Sequence, residues 1–245
     1  MNSTPAAGLP AAAPPPAAGL PARAAGRRAP SRTAAVGGVF LLVTATLAAA
    51  VLADPARPFF QGADETWLRW MGGPHDGAYS AVASALNWFG GPNGIVVPVL
   101  IIVVLAAMRR WRSSAFVFTA YVVGNILVPQ ALKHFFDRPR PANPLVHVDH
   151  GSFPSGHAAA MAVLAIAAGV VFVPAARRRP WWIATGVLVA AMMWSRTWLH
   201  AHWISDTLAG ATAGAGVTVL LWWVFAPQLA REAEARRARL ARRVN

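Results

Sequence analysis

Two histidines and one aspartate stand out as groups able to do chemistry. His202 and Asp206 are four residues apart, a spacing that puts them on one face of a helix and within reach of each other. A carboxylate that accepts the imidazole Nδ1–H fixes the tautomer and leaves Nε2 free as a nucleophile. The spacing therefore predicts a His202–Asp206 hydrogen bond. His200 competes for the role, but it lies six residues before Asp206, on a different helical face. His157 follows Pro154-Ser155-Gly156 and opens a long apolar run. Ser155 suits an N-cap, and Gly156 lets a ligand approach the backbone closely. A helix N-terminus there offers unpaired N–H groups and a positive dipole end, so it attracts an anion. His157 would stand in the first turn beside it.

The cations nearby narrow the chemistry. Of 22 basic residues only Lys133 is a lysine, and it is followed by Arg138 and Arg140; Arg196 precedes the His202 segment. Lysine acts as a point charge and arginine as a planar fork, a combination that suits phosphate. Phosphoryl transfer needs positioning and stabilisation of charge on the equatorial oxygens. Beside Arg138, Arg140 and Arg196, Lys133 looks like part of an anion site. A metal site built from His157, His200 and His202 is a rival idea, but the adjacent cations would repel the ion. The reading therefore calls for no metal and no cofactor. With no cysteine in the chain, thiol catalysis and disulfides are excluded.

The elements that must position these residues are membrane helices. The chain is 56% hydrophobic and only 13% charged, whereas soluble domains run nearer a quarter charged. Apolar runs fall at 35–53, 92–108, 114–132, 157–174, 181–198 and 203–226. Each is close to the roughly 20 residues that cross a bilayer core. The expected fold is all-α, a polytopic bundle of six transmembrane helices. A shorter amphipathic stretch at 77–90 is expected as an additional helix, lying at the interface or packed on the bundle. Residues 1–33, rich in Ala, Pro and Gly, read as a disordered tail. A six-span domain follows over 34–227, then a basic tail over 228–245. Phe59, Phe60, Trp67 and Trp70 suit either interfacial contact or packing on the bundle.

Net charge is +13, but its placement excludes nucleic acid as a partner. The arginines sit in clusters between apolar runs: Arg23 to Arg32, Arg109 to Arg112, Arg177 to Arg179, and Arg231 to Arg243. With six spans all four clusters fall on one side, which the positive-inside rule makes cytoplasmic. Both termini are then cytoplasmic, and the segments holding Lys133, His157 and His202 are extracytoplasmic.

Three segments together resemble the signature of the type 2 phosphatidic acid phosphatase superfamily, which also contains vanadium haloperoxidases. They are Lys133 with Arg140-Pro141, then Pro154-Ser155-Gly156-His157, then Ser195-Arg196 with His202 and Asp206, all in the family's order and spacing. The resemblance implies that His202 is the nucleophile, Asp206 its orienting partner, and His157 the general acid and then base. It implies that Lys133, Arg140, Ser155, Gly156 and Arg196 cradle the phosphoryl oxygens. Arg138 is outside the signature and is left as a supporting or headgroup contact.

A site at the outer end of a membrane bundle lies at headgroup depth. The implied substrate is a lipid phosphate, with undecaprenyl diphosphate, phosphatidic acid and phosphatidylglycerol phosphate as candidates. Haloperoxidase relatives are soluble, so six spans speak against that activity. The rival class is a membrane transporter or binding protein for a phosphorylated lipid, but transporters place their polar residues near the midplane.

Overall fold

The structure, a computed structural model, describes residues 31–244. The segment expected to be disordered lies outside the described residues up to residue 30, and residues 31–33 already belong to the first helix. The helices are α1 (Ser31–Ala53), α2 (Gln61–Trp70), α3 (Gly77–Gly90), α4 (Val96–Ala107), α5 (Trp111–Tyr121), α6 (Val128–Phe136), α7 (Gly156–Phe172), α8 (Arg178–Trp198) and α9 (Ile204–Val244). There is no strand among the described residues. A backbone in hydrocarbon must satisfy its own polar groups, and a helix does so within one segment.

All six apolar runs are helical, but the six-span count does not follow from helix length and apolarity. Three helices pass on both grounds: Arg32–Ala53, Trp111–Phe136 and Ile204–Arg242. The pair Gly77–Gly90 and Pro92–Ala107, bent by 56°, supplies a fourth crossing if it is one broken span. Helix α7 is apolar but shorter, and α8 opens on Arg178 and Arg179 and carries Arg196 in its last turn. Leu42, Leu100, Val103, Ile183 and Val187 project outward from the bundle. Such a surface is costly in water and suited to lipid.

Helices α5 and α6 form one rod, Trp111–Phe136, interrupted by a π-helical turn at Val122–Leu127. Pro129 has no N–H for the carbonyl of Asn125, four residues back, and the wider turn absorbs that mismatch. The rod ends where Asp137 turns left-handed (φ 41°) and its N–H bonds the Lys133 carbonyl at 3.1 Å. Pro139 and Pro141 keep the next segment extended.

Helix α9 does not stop at the end of its apolar run. It passes Pro227 and continues through an Ala/Arg/Glu-rich stretch to Val244, residues of high helix propensity. The expected boundary at 228 is therefore not a break in the backbone. At 1.5 Å per residue the 41-residue rod is roughly 60 Å long.

α1 and α7 pack along α9. A Cβ added to Gly210 would lie 2.1 Å from the Ser155 carbonyl oxygen, and one added to Gly214 would lie 2.6 Å from that of Ala159. These two positions, four apart, let α7 approach backbone to backbone. The close approach brings the first turns of α7 and α9 together, and the Ser155 N–H bonds the Asp206 carbonyl at 3.0 Å.

The amphipathic stretch at 77–90 is helix α3, packed on α7 and α8. The four loop aromatics divide between the two expected roles. Phe60 packs against Val51, Phe136 and Phe153, and Trp67 Nε1 donates to Thr197 Oγ1 at 3.0 Å. Phe59 and Trp70 stay exposed.

Candidate active site

The eight residues singled out in the sequence form one connected network at one end of the bundle. Lys133 comes from the last turn of α6, Arg140 from the segment after it, and Ser155, Gly156 and His157 from the start of α7. Arg196 comes from the last turn of α8, His202 from the α8–α9 connection and Asp206 from the first turn of α9. His202, Arg196, Asp206, Ser155 and Lys133 are buried.

His202 precedes helix α9 rather than sharing a face of it with Asp206. Its Nδ1 donates to the Ser152 carbonyl at 2.8 Å, while Asp206 Oδ2 is 3.8 Å away. The expected His202–Asp206 hydrogen bond is thus replaced by a backbone one. The consequence for the ring is unchanged: a carbonyl only accepts, so Nδ1 carries the hydrogen and Nε2 keeps its lone pair. Arg140 Nη1 lies 3.3 Å from that Nε2 and also donates to the Ala201 carbonyl at 2.5 Å. Burial, then the charges of Arg140, Arg196 and Lys133, push the His202 pKa well below its ordinary 6.5; the hydrogen bond to Ser152 only partly opposes them. The ring is neutral, as a nucleophile must be.

Asp206 works instead as an anchor. Its Oδ1 accepts from Arg138 Nη1 at 2.6 Å, and its Oδ2 accepts from the Trp203 N–H at 2.9 Å, capping α9. Arg138, outside the signature, is 1% exposed. It also donates to Ser205 Oγ at 2.8 Å, to Asp64 Oδ2 at 2.8 Å and to Gln61 Oε1 at 2.7 Å. Asp64 in turn accepts from the Ser205 N–H at 2.9 Å and its hydroxyl at 2.7 Å. One buried guanidinium thereby ties α2, the segment after α6 and the start of α9 into a unit. Two buried carboxylates thus share one guanidinium. Gln61 and Asp64 escaped the sequence reading. The available signal was an acid three residues after a glutamine in a loop otherwise read for its aromatics.

His157 is held by α3. Its Nε2 lies 3.2 Å from the Asn87 carbonyl oxygen, and Arg196 Nη1 donates to the Asn87 side chain at 2.5 Å. A Cβ on Gly90 would fall 2.6 Å from His157 Cδ2, so only glycine leaves the ring its place. The stretch 77–90, whose role the sequence left open, is therefore a wall of the site.

Ser155 sits at the N-cap position of α7, yet its side chain makes no capping bond. Its Oγ, fully buried, and the Nε of Arg196 have no hydrogen-bond partner among the described residues. Nothing lies within 4 Å of a Cβ placed on Gly156. Lys133 and Arg140 are both paired with Asp149: Lys133 Nζ meets each carboxylate oxygen at 3.0 Å, and Arg140 Nη2 donates to Oδ1.

His200 points elsewhere. It sits in a left-handed turn (φ 52°) and packs on His75, with ring centroids 5.2 Å apart. Among the described residues, no group of three or more His, Cys, Asp or Glu is placed to hold a metal, so His157, His200 and His202 do not converge.

The basic clusters that follow α4 and α7 lie at the far end of the bundle. Arg110 Nη2 donates to the Val171 carbonyl at 2.9 Å and Arg178 Nη2 to that of Val170 at 3.0 Å. These are last-turn carbonyls of α7, whose first turn carries His157. The cations suit the negative end of that helix.

Residues 114–229 match the family model of the PAP2 superfamily, a span that holds all three motifs. The fold matches that of a transmembrane PAP2-type phosphatidylglycerolphosphate phosphatase from Bacillus subtilis, with a TM-score of 0.65 and 23% sequence identity over 76% of this chain and 93% of that one. No curated protein matches the chain. Residues 114–229 thus carry the likeness to the PAP2 superfamily, and together with the fold they support a membrane phosphoric ester hydrolase.

Proposed function

We propose that the enzyme hydrolyses lipid phosphates, monoester or diphosphate, through a phosphohistidine intermediate. The observation that carries this reading is the state of His202: Nδ1 is locked on the Ser152 carbonyl, and Nε2 carries a lone pair among Lys133, Arg140 and Arg196. In the first step Nε2 attacks phosphorus and the P–O bond to the lipid breaks. His157 gives its proton to the leaving oxygen; a bound phosphate dianion favours the protonated ring. In the second step His157 takes a proton from water, the hydroxide attacks phosphorus, and the P–N bond returns its electrons to His202. Lys133, Arg140, Arg196, the Ser155 hydroxyl and the N–H groups at Gly156 bind the phosphoryl oxygens. The Asp206 carboxyl, 3.8 Å from Nδ1, faces the positive charge that develops on His202.

The substrate class follows from the surroundings. An apolar cavity of about 600 Å³ between α1, α7, α8 and α9 is lined by Phe40, Ile166, Trp182, Met193, Leu208 and Trp222. Leu208 is two residues from Asp206, which supports reading the cavity as the seat of a hydrocarbon tail whose phosphate reaches His202. Undecaprenyl diphosphate, phosphatidic acid and phosphatidylglycerol phosphate all fit this description. The arginine clusters opposite the site support cytoplasmic termini and an extracytoplasmic site. The chain has no cysteine, so single cysteines at exposed His147 and Arg236 can be probed with a membrane-impermeant maleimide in intact cells. Labelling at 147 alone supports this orientation, and the reverse pattern overturns it.

The deciding experiment is phosphate release by purified protein, with chelator present, from those three lipids. Wild type should release phosphate, His202→Ala should release none and form no phosphoenzyme, and His200→Ala should keep most activity. Specific lipid binding without release by the wild type would favour the binding or transport reading instead.

A further inference from the structure

The Lys133–Arg140 pair already faces an anion, the carboxylate of Asp149. Asp149 Oδ1 bridges the two cations, Oδ2 adds a second contact to Lys133 at 3.0 Å, and the Asp149 main-chain carbonyl accepts from Arg140 Nε at 2.9 Å. The three side chains differ in exposure: 6% for Lys133, 11% for Arg140 and 55% for Asp149. The cations are thus fixed in the wall of the site, whereas the carboxylate sits at its mouth. It is carried by a segment, 137–155, without helix or strand. Burial raises the pKa of Asp149, but the hydrogen bond and charge of Lys133 and the charge of Arg140 outweigh it and hold the group below its ordinary 3.8. The group is therefore an anion whenever the enzyme works.

A carboxylate and a phosphoryl group present the same feature to a cation pair, two oxygens sharing negative charge. They compete for the same donors. A competitor tethered by a short segment acts at an effective concentration on the order of millimolar. We propose that Asp149 is a tethered competitor for phosphate: it holds the Lys133–Arg140 pair between turnovers, gives way to the substrate phosphoryl group, and returns to help expel inorganic phosphate. This rests on the phosphatase reading above and adds a residue outside the three motifs to the reaction cycle. It gives a physical reason for an acid in a site built to bind anions. Without it, three cations and a helix terminus would retain the product that the second step leaves among them.

The test uses the full chain in detergent, as wild type, Asp149→Asn and Asp149→Ala, with inorganic phosphate as the probe. Competitive inhibition of lipid phosphate turnover is measured, and independently the rise in Tm on adding phosphate without substrate. In both variants inhibition should appear at about two- to fivefold lower phosphate, the range for a partly exposed charge pair, and the phosphate-induced rise in Tm should grow. Unchanged or weaker phosphate binding in a variant of wild-type Tm would overturn the proposal and make Asp149 a positioning residue for the cations. The alanine variant keeps the test open if asparagine disturbs folding. If wild type neither releases phosphate from lipids nor is stabilised by inorganic phosphate, the phosphatase reading falls and this proposal with it. If wild type does both and neither variant binds phosphate more tightly, the proposal alone falls.

Discussion

His202 is oriented by the main chain of Ser152, at 2.8 Å, and not by the carboxylate of Asp206, at 3.8 Å. The tautomer is therefore secured by a group that no side-chain substitution can remove. Asp206→Asn should leave the ring with its hydrogen on Nδ1. Its cost should come through charge, since Arg138 loses one of two counter-ions and His202 loses nearby negative potential. We expect kcat to fall about 10²-fold together with a lower Tm. A loss near 10⁴-fold, the scale of a wrong tautomer, at unchanged Tm would show that Asp206 acts on the ring directly.

Asp64 is predicted to matter for folding. Removing one partner of a buried ion pair costs about 3–5 kcal/mol, and Asp64 and Arg138 are each 1% exposed. Asp64→Ala should lower the unfolding midpoint in detergent substantially, and Asp64→Asn should do so less because it keeps hydrogen-bonding capacity. Wild-type midpoints for both would contradict the anchoring role of α2.

Gly90→Ala tests the wall formed by α3. The added methyl would sit 2.6 Å from His157 Cδ2, and displacing a catalytic group by about 1 Å can cost about 10²-fold in rate. The prediction is a fall of that order in kcat with phosphate binding retained, since Lys133, Arg140 and Arg196 are untouched. Unaltered kcat would mean that the position of His157 does not limit the reaction.

The acid side of the pH profile should report on Arg140. Burial and three cations depress the His202 pKa, so the ring stays unprotonated below pH 6.5, and on the proposed mechanism kcat/KM should hold there. The sign follows from the cause: removing a neighbouring cation makes protonation easier. In Arg140→Gln the acid limb should move up in pH, apart from any loss of affinity. An unmoved limb would assign that titration to another group. Stability runs in the same sense. A histidine depressed on folding takes up its proton first in the unfolded chain, so its contribution to stability is lost as pH falls below 6.5.

The tail cavity predicts a split between substrates. Ala211→Phe, at its lining, should raise KM for a long-chain lipid phosphate severalfold and leave a water-soluble phosphate ester unaffected. Equal effects on both would remove the cavity from the substrate path.

The sequence was informative where chemistry resides in side-chain identity. Lys133, His157, Arg196 and His202 could be singled out because few residue types do what they do, and the apolar runs located the helices that carry them. It was silent where geometry depends on the main chain. Ser152 contributes a carbonyl that any residue would have, so its pairing with His202 had no signature. The i,i+4 argument for Asp206 misled because helix α9 begins at Ile204, after the histidine. Asp64 and Asn87 lie 138 and 115 residues before His202, and only the fold closes those separations. The helical course of α9 past Pro227 was legible in its Ala, Arg and Glu content, but the charge of that stretch drew attention to topology instead.

Asn87 and Asp64 have one further consequence. Both lie outside residues 114–229, which match the family model, yet one holds His157 and the other holds Arg138. The chemistry is thus divided among pieces that are individually inert. A chain lacking α2 and α3, or caught before they dock, would carry every signature residue and still lack the supports of His157 and Arg138. Hydrolysis then doubles as a readout of completed assembly, and a loss of activity with all three motifs intact points to the docking of α2 and α3.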